Sequence, residues 1–291
     1  MSLPDIDKAL VSCYTMATDF ERTLTMAFPI ALLWLFAAAM AISAIGFKKY
    51  VWFISLGYGF SIAGEGILML ILYGNRLTVG TVLCAALLIV YGFRLSGYLA
   101  IRECKNGSYK KHMQTEIKDG ATMPFGVKCA IWITCALLYL TQVTPVTYRL
   151  ENASADNAFV YVGAAVMAIG LLLETVADVQ KNNAKKANPK RFVDTGLYRF
   201  VRCPNYLGEM IFWTGALLSG IGSVVGWQWL LVAIGFVGII FVMFSGARRL
   251  ELRQNKNYGD NPEYQKYVQT VPILLPFIPL YSVAKHKWLV A

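Results

Sequence analysis

Seven apolar stretches, each close to the roughly 20 residues that an α-helix needs to cross a bilayer core, are the strongest constraint on this fold. They cover residues 27–47, 51–73, 79–101, 125–146, 158–177, 205–224 and 226–246. Each stretch is long enough for one membrane-spanning helix. The sequence therefore predicts an all-α fold, an integral membrane bundle of seven transmembrane helices.

The composition also excludes the soluble classes of protein. Apolar residues make up 57% of the 291 residues and charged residues 15%, whereas soluble domains contain about 25% charged residues. So few charges cannot cover the surface of a soluble domain. The sequence has only two histidines, and its six cysteines form no C-x-x-C pair, so we expect no metal site.

The net charge of +10 is explained by membrane topology rather than by nucleic acid, which we do not expect as a partner. Of the 27 Lys and Arg residues, 21 lie in 48–50, 102–124, 178–204 and 247–291, connections that would share one side of the membrane. Cytoplasmic loops carry such an excess. The amino terminus is therefore expected outside and the carboxyl terminus in the cytosol, with membrane lipids meeting part of this basic surface.

Five ionisable side chains lie within or at the ends of the predicted spans, where they are costly unless they face a cavity or a partner. They are Glu65, Arg94, Glu174, Asp178 and Glu209. A structural ion pair would explain any one of them, but five together favour a polar interior cavity.

The third span carries a polar stripe. Tyr91, Arg94, Tyr98 and Arg102 recur at helical spacing and therefore share one helix face. An aromatic belt with a snorkelling arginine explains Tyr98 and Arg102. It does not explain Arg94, which lies deeper, so the stripe favours a polar ligand that enters from the cytosol.

Residues 174–209 are the most informative part of the sequence. Two acids one helical turn apart are followed by a basic loop, and Pro204 suits the first position of the next helix. The free amides at that helix start, beside Arg199 and Arg202, are typical of an anion site sized for phosphates. The alternative is a basic loop bound to lipid headgroups.

The run 195–209, Thr-Gly-Leu-Tyr-Arg-Phe-Val-Arg-Cys-Pro-Asn-Tyr-Leu-Gly-Glu, resembles the G-L-[WY]-R-x-x-R-H-P-N-Y-x-G-E motif of the DUF1295 and steroid 5α-reductase C-terminal-domain families. The Tyr91–Tyr98 stripe is similar to the third helix of steroid 5α-reductases. The resemblance implies a seven-helix membrane reductase that binds NADPH in a cytosol-facing cavity. Such an enzyme reduces the C=C bond of an enone, for example a 3-oxo-Δ4-steroid.

The resemblance also implies roles for individual residues. Tyr91 falls on the tyrosine that polarises the substrate. Arg94, Tyr98, Asp178, Lys185, Arg191, Asn205 and Glu209 fall where that family contacts NADPH, Glu251 aligns near a cofactor-binding region of the tail, and Glu174, also expected at the cofactor, stands where steroid reductases tend to have an asparagine. From the polar stripe and the anion site described above, Arg102, Arg199 and Arg202 are also expected to bind NADPH. We expect one membrane domain, with 1–124 mainly on the substrate side and 125–291 mainly on the cofactor side. The substrate is expected to be a lipophilic small molecule, and no obligatory protein partner is evident.

Two departures from the family pattern stand out. Cys203 replaces the histidine of the motif, and the second span lacks the Gln-Glu-x-Pro-Ser segment of steroid reductases. Glu65 is the only acid in that span, and we assign it a proton-donating role on chemical grounds. We expect Tyr91 and Glu65 to lie at comparable depth and to bind the substrate carbonyl as a pair.

Two other functions remain open from the sequence. Integral-membrane methyltransferases that act on isoprenylcysteine or phospholipids carry a similar motif and bind S-adenosylmethionine. The several Lys and Arg between 181 and 202 favour a cofactor with three phosphates over a methyl donor with one carboxylate. A channel or lipid-binding scaffold would bind neither nucleotide. Both the bacterial inner membrane and the endoplasmic reticulum fit the sequence.

Overall fold

A computed structural model of the chain describes residues 28–105 and 123–289, with side chains up to residue 101 and from residue 123. The side chain of Arg102 lies outside the described residues. Eight α-helices occur in these ranges: α1 (Ile30–Ser43), α2 (Leu56–Leu72), α3 (Val79–Lys105), α4 (Phe125–Glu151), α5 (Ala158–Ala187), α6 (Pro204–Ser219), α7 (Gln228–Tyr258) and α8 (Pro262–Thr270). Within the described residues there is no strand, which confirms the all-α fold.

Six helical segments in the described part of the chain are long and apolar enough to cross a bilayer. They are Ile30–Phe47, Tyr50–Leu72, Val79–Ile101, Phe125–Glu151, Ala158–Ala187 and Gln228–Tyr258. The chain is therefore a multi-pass membrane protein.

The helix found in the predicted span 205–224 is shorter than that stretch. It is α6, a helix of 16 residues, which at 1.5 Å per residue is about 24 Å long, less than the roughly 30 Å of a bilayer core. The seventh crossing and the side of the membrane on which each terminus lies stay predictions.

Glycines bring α5 and α6 into close contact. A Cβ added to Gly170 of α5 would lie 2.6 Å from the carbonyl oxygen of Gly208 on α6, and one added to Gly208 would lie 2.6 Å from the backbone nitrogen of Glu174. Only glycine fits at these positions. The two backbones therefore touch beside Glu174, which sets that residue next to the first turns of α6.

Glycines also bring α2 and α3 into close contact. A Cβ added to Gly59 would lie 2.6 Å from the carbonyl oxygen of Gly92, so these two helices also meet backbone to backbone. Tyr58 precedes the first glycine and Tyr91 precedes the second. The close approach therefore places the two tyrosines side by side.

The chain after α7 folds back onto the start of α6. The backbone N–H groups of Arg202 and Cys203 donate to the carbonyl oxygens of Pro272 and Ile273, both at 2.9 Å. The buried guanidinium of Arg202 pairs with Glu251 of α7 at 3.0 Å. These contacts fix where α6 begins.

Candidate active site

A buried cluster of hydroxyl and carboxyl groups lies where α2, α3, α4 and α6 meet. The hydroxyls of Tyr91 and Tyr58 both lie within hydrogen-bond distance of Oε1 of Glu209, at 2.8 and 2.9 Å, and are 3.0 Å from each other. Gln142 Nε2 and Trp213 Nε1 donate to the Tyr58 oxygen at 3.1 and 2.9 Å. All five side chains are buried. Two phenols therefore converge on one carboxylate oxygen inside the bundle.

Aromatic packing holds the two phenols in place. The ring of Tyr91 stacks on Phe212 with 4.3 Å between centroids, and Trp213 meets Tyr91 edge-on at 5.6 Å. The ring of Tyr58 lies 5.1 Å from that of Tyr139. Because the rings are packed on several sides, their hydroxyls point in defined directions.

Three members of this cluster were not among the residues expected from the sequence: Tyr58, Gln142 and Trp213. The sequence could have indicated Gln142, because an amide inside the apolar stretch 125–146 needs a hydrogen-bond partner. Tyr58 and Trp213 carry no such signal, because tyrosine and tryptophan are common in spans. Whether Tyr58 and Trp213 belong to the cluster depends on which helices pack together.

Glu65 does not belong to this cluster. It is 0% exposed, and neither carboxyl oxygen has a hydrogen-bond partner among the described residues. It follows Tyr58 by seven residues on α2, which is about 10 Å along the helix axis. Tyr91 and Glu65 are therefore not hydrogen-bonded to each other in this structure, and their joint binding of the substrate carbonyl stays a prediction. The glycine contacts bring the Tyr91 hydroxyl to Glu209 instead, and the proton-donating role of Glu65 stays a prediction.

Arg94 joins the polar stripe of α3 to the two acids of α5. Its guanidinium binds Glu174 through one nitrogen and Asp178 Oδ2 through the other, the latter at 2.5 Å. It also lies 6.0 Å from the ring centroid of Tyr98. A Cβ added to Gly208 would lie 2.9 Å from the Cβ of Glu174, so Glu174 lies beside the turn of α6 that carries Glu209. The structure thus brings these predicted cofactor residues together next to the tyrosine cluster.

The first turn of α6 connects the cluster with the cytosolic loop. Asn205 precedes Glu209 by one turn, and its buried Oδ1 has no hydrogen-bond partner among the described residues. Cys203, which replaces the motif histidine, lies directly before the helix. Burial raises the pKa of the Cys203 thiol to about 12, so it is a neutral thiol at physiological pH.

Two residues expected at the cofactor bind each other instead. Arg202 and Glu251 form a buried ion pair, and the second carboxyl oxygen of Glu251 accepts the N–H of Val283 at 2.9 Å. Arg202 is 2% exposed. In this arrangement Arg202 is not open to a phosphate group, because a buried guanidinium needs its carboxylate partner.

The basic loop before α6 is spread over the surface. Lys185 donates to the carbonyl oxygen of Arg191 at 2.5 Å and to the hydroxyl of Tyr258 at 2.8 Å. Arg191 pairs with Glu263 and Asp194, at 2.6 and 2.9 Å, and hydrogen bonds to these two acids raise its pKa.

Arg199, in contrast, is exposed and has no ion pair among the described residues. Lys185, Arg191 and Arg202 contact other protein groups, whereas the guanidinium of Arg199 is open to an anion in this arrangement.

Comparison with known proteins gives two named relatives. The chain is 23% identical over 167 residues to a 3-oxo-5-alpha-steroid 4-dehydrogenase 1 of Bos taurus, a match that covers 56% of this chain and 60% of the relative. It is 29% identical over 122 residues to a very-long-chain enoyl-CoA reductase of Dictyostelium discoideum, which covers 41% of this chain and 36% of the relative. The matches therefore span less than two thirds of either relative. No solved structure matches the chain.

The family is shown by a match over most of the chain. Residues 23–271 match the sequence model described as protein of unknown function DUF1295. This range contains the α3 stripe, the two acids of α5 and the 195–209 motif. The match confirms the family resemblance seen in that motif: the chain belongs to the DUF1295 family.

Proposed function

We propose that this protein is a membrane reductase that uses NADPH to reduce a C=C bond conjugated to a carbonyl group in a lipophilic substrate. The observation that carries the proposal is the convergence of the Tyr58 and Tyr91 hydroxyls at Glu209, inside the bundle. The two relatives are named for redox chemistry at carbons next to a carbonyl group. That chemistry needs hydrogen-bond donors at the carbonyl oxygen.

The residues around the start of α6 fit a nicotinamide cofactor. The Oδ1 of Asn205, which has no hydrogen-bond partner in the described part of the chain, is an acceptor for a carboxamide N–H. Glu209 offers a second acceptor one turn further along the helix. Arg199, which is exposed and has no ion pair within residues 28–101 and 123–289, would meet a phosphate first. Arg191 and Lys185 could follow by exchanging their present partners for phosphate oxygens.

Bound NADPH supplies the hydride for the reaction. When a hydride adds to the β-carbon of an enone, an electron pair moves onto the carbonyl oxygen. Tyr91 and Tyr58 would turn their hydroxyl hydrogens from Glu209 to that oxygen and stabilise its charge. Gln142 and Trp213 already donate to the Tyr58 oxygen. The hydrogen of Tyr58 is therefore left for an acceptor, which is Glu209 in this structure and would be the carbonyl oxygen in the substrate complex.

The reaction is completed by a proton that adds to the α-carbon and yields the saturated ketone. Glu65 is the proposed source of that proton, on the chemical ground that it is the only acid of the second span. In this proposal the substrate binds with its carbonyl oxygen at the tyrosine hydroxyls and with the adjacent α-carbon facing Glu65. The apolar body of the substrate would enter from the lipid between the helices.

Ligand titration tests the proposal against the two alternatives. The full chain, purified in lipid nanodiscs, is titrated with NADPH and with S-adenosylmethionine, and NADPH consumption is then followed with steroid, sterol, polyprenol and fatty enones. We expect NADPH to bind, S-adenosylmethionine not to bind, and at least one enone to cause NADPH oxidation. Binding of S-adenosylmethionine alone would identify a methyltransferase, and binding of neither would identify a channel or scaffold. Either result would overturn the reductase proposal.

A further inference from the structure

The segment after α8 returns to the depth of the membrane. The guanidinium of Arg248 on α7 donates to the carbonyl oxygens of Ala284 and Leu289, at 3.1 and 3.0 Å. The ring of Trp288 lies 6.1 Å from that of Phe241. Phe241 is seven residues, or about 10 Å, further into α7 than Arg248, and it falls within the predicted span 226–246. The end of this segment therefore lies beside the apolar part of α7.

A tight loop in the same segment presents apolar side chains outward. The N–H of Ile273 donates to the carbonyl oxygen of Leu280 at 2.9 Å, which closes the loop. At its tip Phe277 is 100% exposed and Ile278 is 50% exposed. Phe277 has a φ of +67°, a left-handed conformation that bulky residues rarely adopt. The fold thus holds a phenyl ring away from its own core.

The charged residues of this segment favour contact with an anionic membrane surface. Residues 264–291 contain no Asp or Glu and three Lys. Lys285 and Lys287 are exposed on either side of His286, and the neighbouring Trp288 is 66% exposed. An exposed tryptophan beside lysines is typical of a membrane interface, where the ring lies at headgroup depth and the cations meet anionic lipids.

We propose that residues 276–288 form an interfacial anchor, with Phe277 and Ile278 inserted among the lipid chains and Lys285 and Lys287 at anionic headgroups. This segment follows the part of the chain that matches the family, residues 23–271, and the inference does not depend on the proposed reaction. The surface that it occupies is lipid rather than a second protein, since Trp288 already packs on the spanning helix α7.

The anchor would also position the start of α6. Arg202 donates to the carbonyl oxygen of Tyr281, and the N–H of Val283 donates to Glu251, so both ends of the Arg202–Glu251 pair are tied to the segment. Holding the segment at the bilayer surface therefore holds the first turn of α6 at a constant depth.

Photo-crosslinking tests the anchor in the full-length chain. p-Benzoylphenylalanine replaces Phe277, with Leu172 on the exposed face of α5 as the lipid-facing control and Asn257 at the end of α7 as the water-facing control. All are exposed positions, so the fold is preserved. In nanodiscs we expect phospholipid adducts at Phe277 comparable to those at Leu172 and about tenfold above those at Asn257. A yield at Phe277 no higher than at Asn257 would overturn the insertion.

The headgroup contact has a separate readout. The same crosslinker at His286, in nanodiscs with equal phosphatidylcholine and phosphatidylglycerol, should give adducts enriched in phosphatidylglycerol. Lys285→Gln combined with Lys287→Gln should return the adducts to equal shares. Equal shares in the chain with both lysines would overturn the electrostatic part of the anchor.

Discussion

Two buried carboxyl groups in the helical bundle have opposite surroundings. Glu209 accepts hydrogen bonds from two tyrosine hydroxyls, which come from α2 and α3. Glu65 is equally buried, but neither of its carboxyl oxygens has a hydrogen-bond partner among the described residues. A buried polar group without partners is costly, whereas a partnered one contributes to stability. An acidic residue in a predicted span therefore indicates a polar cluster only where neighbouring helices supply hydrogen-bond donors to it.

The largest expected effect is on turnover at the Glu209 cluster. Tyr91→Phe removes one of the two proposed donors to the carbonyl oxygen and should lower kcat by about 10²–10³. NADPH affinity should change far less than kcat, because Tyr91 touches the proposed cofactor residue Glu209 but is not itself a proposed cofactor contact. Single-turnover oxidation of NADPH by an enone, together with the Kd for NADPH, separates the two effects.

Tyr73→Phe is the matched control for that experiment. Tyr73 is also buried, and its hydroxyl donates to a carboxylate, Glu151, at 2.7 Å. This pair lies at the opposite end of α2, away from Glu209. Full turnover in both the Tyr91→Phe and Tyr58→Phe variants would remove the cluster from the mechanism.

The second prediction concerns turnover at Glu65. If Glu65 delivers the proton, Glu65→Gln should lower kcat by about 10²-fold, within the range for loss of a general acid. The folded state should persist, since the amide has nearly the shape of the acid. Stopped-flow kinetics in ordinary and deuterated water measures the step. Unchanged turnover would leave Glu65 as a structural residue and sharpen its contrast with Glu209.

The third prediction concerns stability and uses the same substitution at both acids. Glu209→Leu leaves two buried tyrosine hydroxyls without their carboxylate acceptor and should lower the free energy of unfolding by about 1–3 kcal/mol. Glu65→Leu removes a carboxyl that has no hydrogen-bond partner in the part of the chain that the structure describes, so it should leave that free energy unchanged or raise it. Thermal unfolding of both variants in one detergent measures the difference. An equal loss in both would show that Glu65 has partners after all.

A loss of stability of similar size is expected at the helix contacts that build the Glu209 cluster. Gly208→Ala puts a Cβ 2.6 Å from the backbone nitrogen of Glu174. Overpacking of this kind should lower the free energy of unfolding by about 1–3 kcal/mol and shift Glu209 away from the tyrosines.

Gly97→Ala on α3 is the control, because a Cβ there meets nothing within 4 Å. It should be neutral or stabilising, since alanine favours a helix over glycine. A Gly208→Ala variant as stable as the parent would contradict the close contact of α5 and α6.

The helical architecture was largely predictable from apolar length. The stretch 79–101 starts where α3 starts, and 125–146 lies within α4 (Phe125–Glu151). The predicted ends fall short for α5 and α7, which continue to Ala187 and Tyr258. Hydropathy detects only the part of a helix that lies in the bilayer, so polar extensions are missed.

The candidate site was predictable only in part. The sequence identified Arg94, Glu174 and Asp178 as costly ionisable residues and assigned them to the cofactor. It did not predict that Arg94 binds the two acids, which the structure shows. The basic loop was assigned to a phosphate-bearing cofactor because of the number of its cations. A count cannot reveal the acids distant in sequence that bind them, such as Glu263 for Arg191 and Glu251 for Arg202.

The sequence by itself determined the all-helical membrane architecture and the family, because apolar length and a contiguous motif are local properties of the chain. Only the tertiary structure decided that Tyr91 meets Glu209 rather than Glu65, and that Tyr58, Gln142 and Trp213 surround the pair. The physical reason lies in the glycines of α2, α3, α5 and α6. They let particular backbones touch, and that contact selects which of several equally polar residues become neighbours.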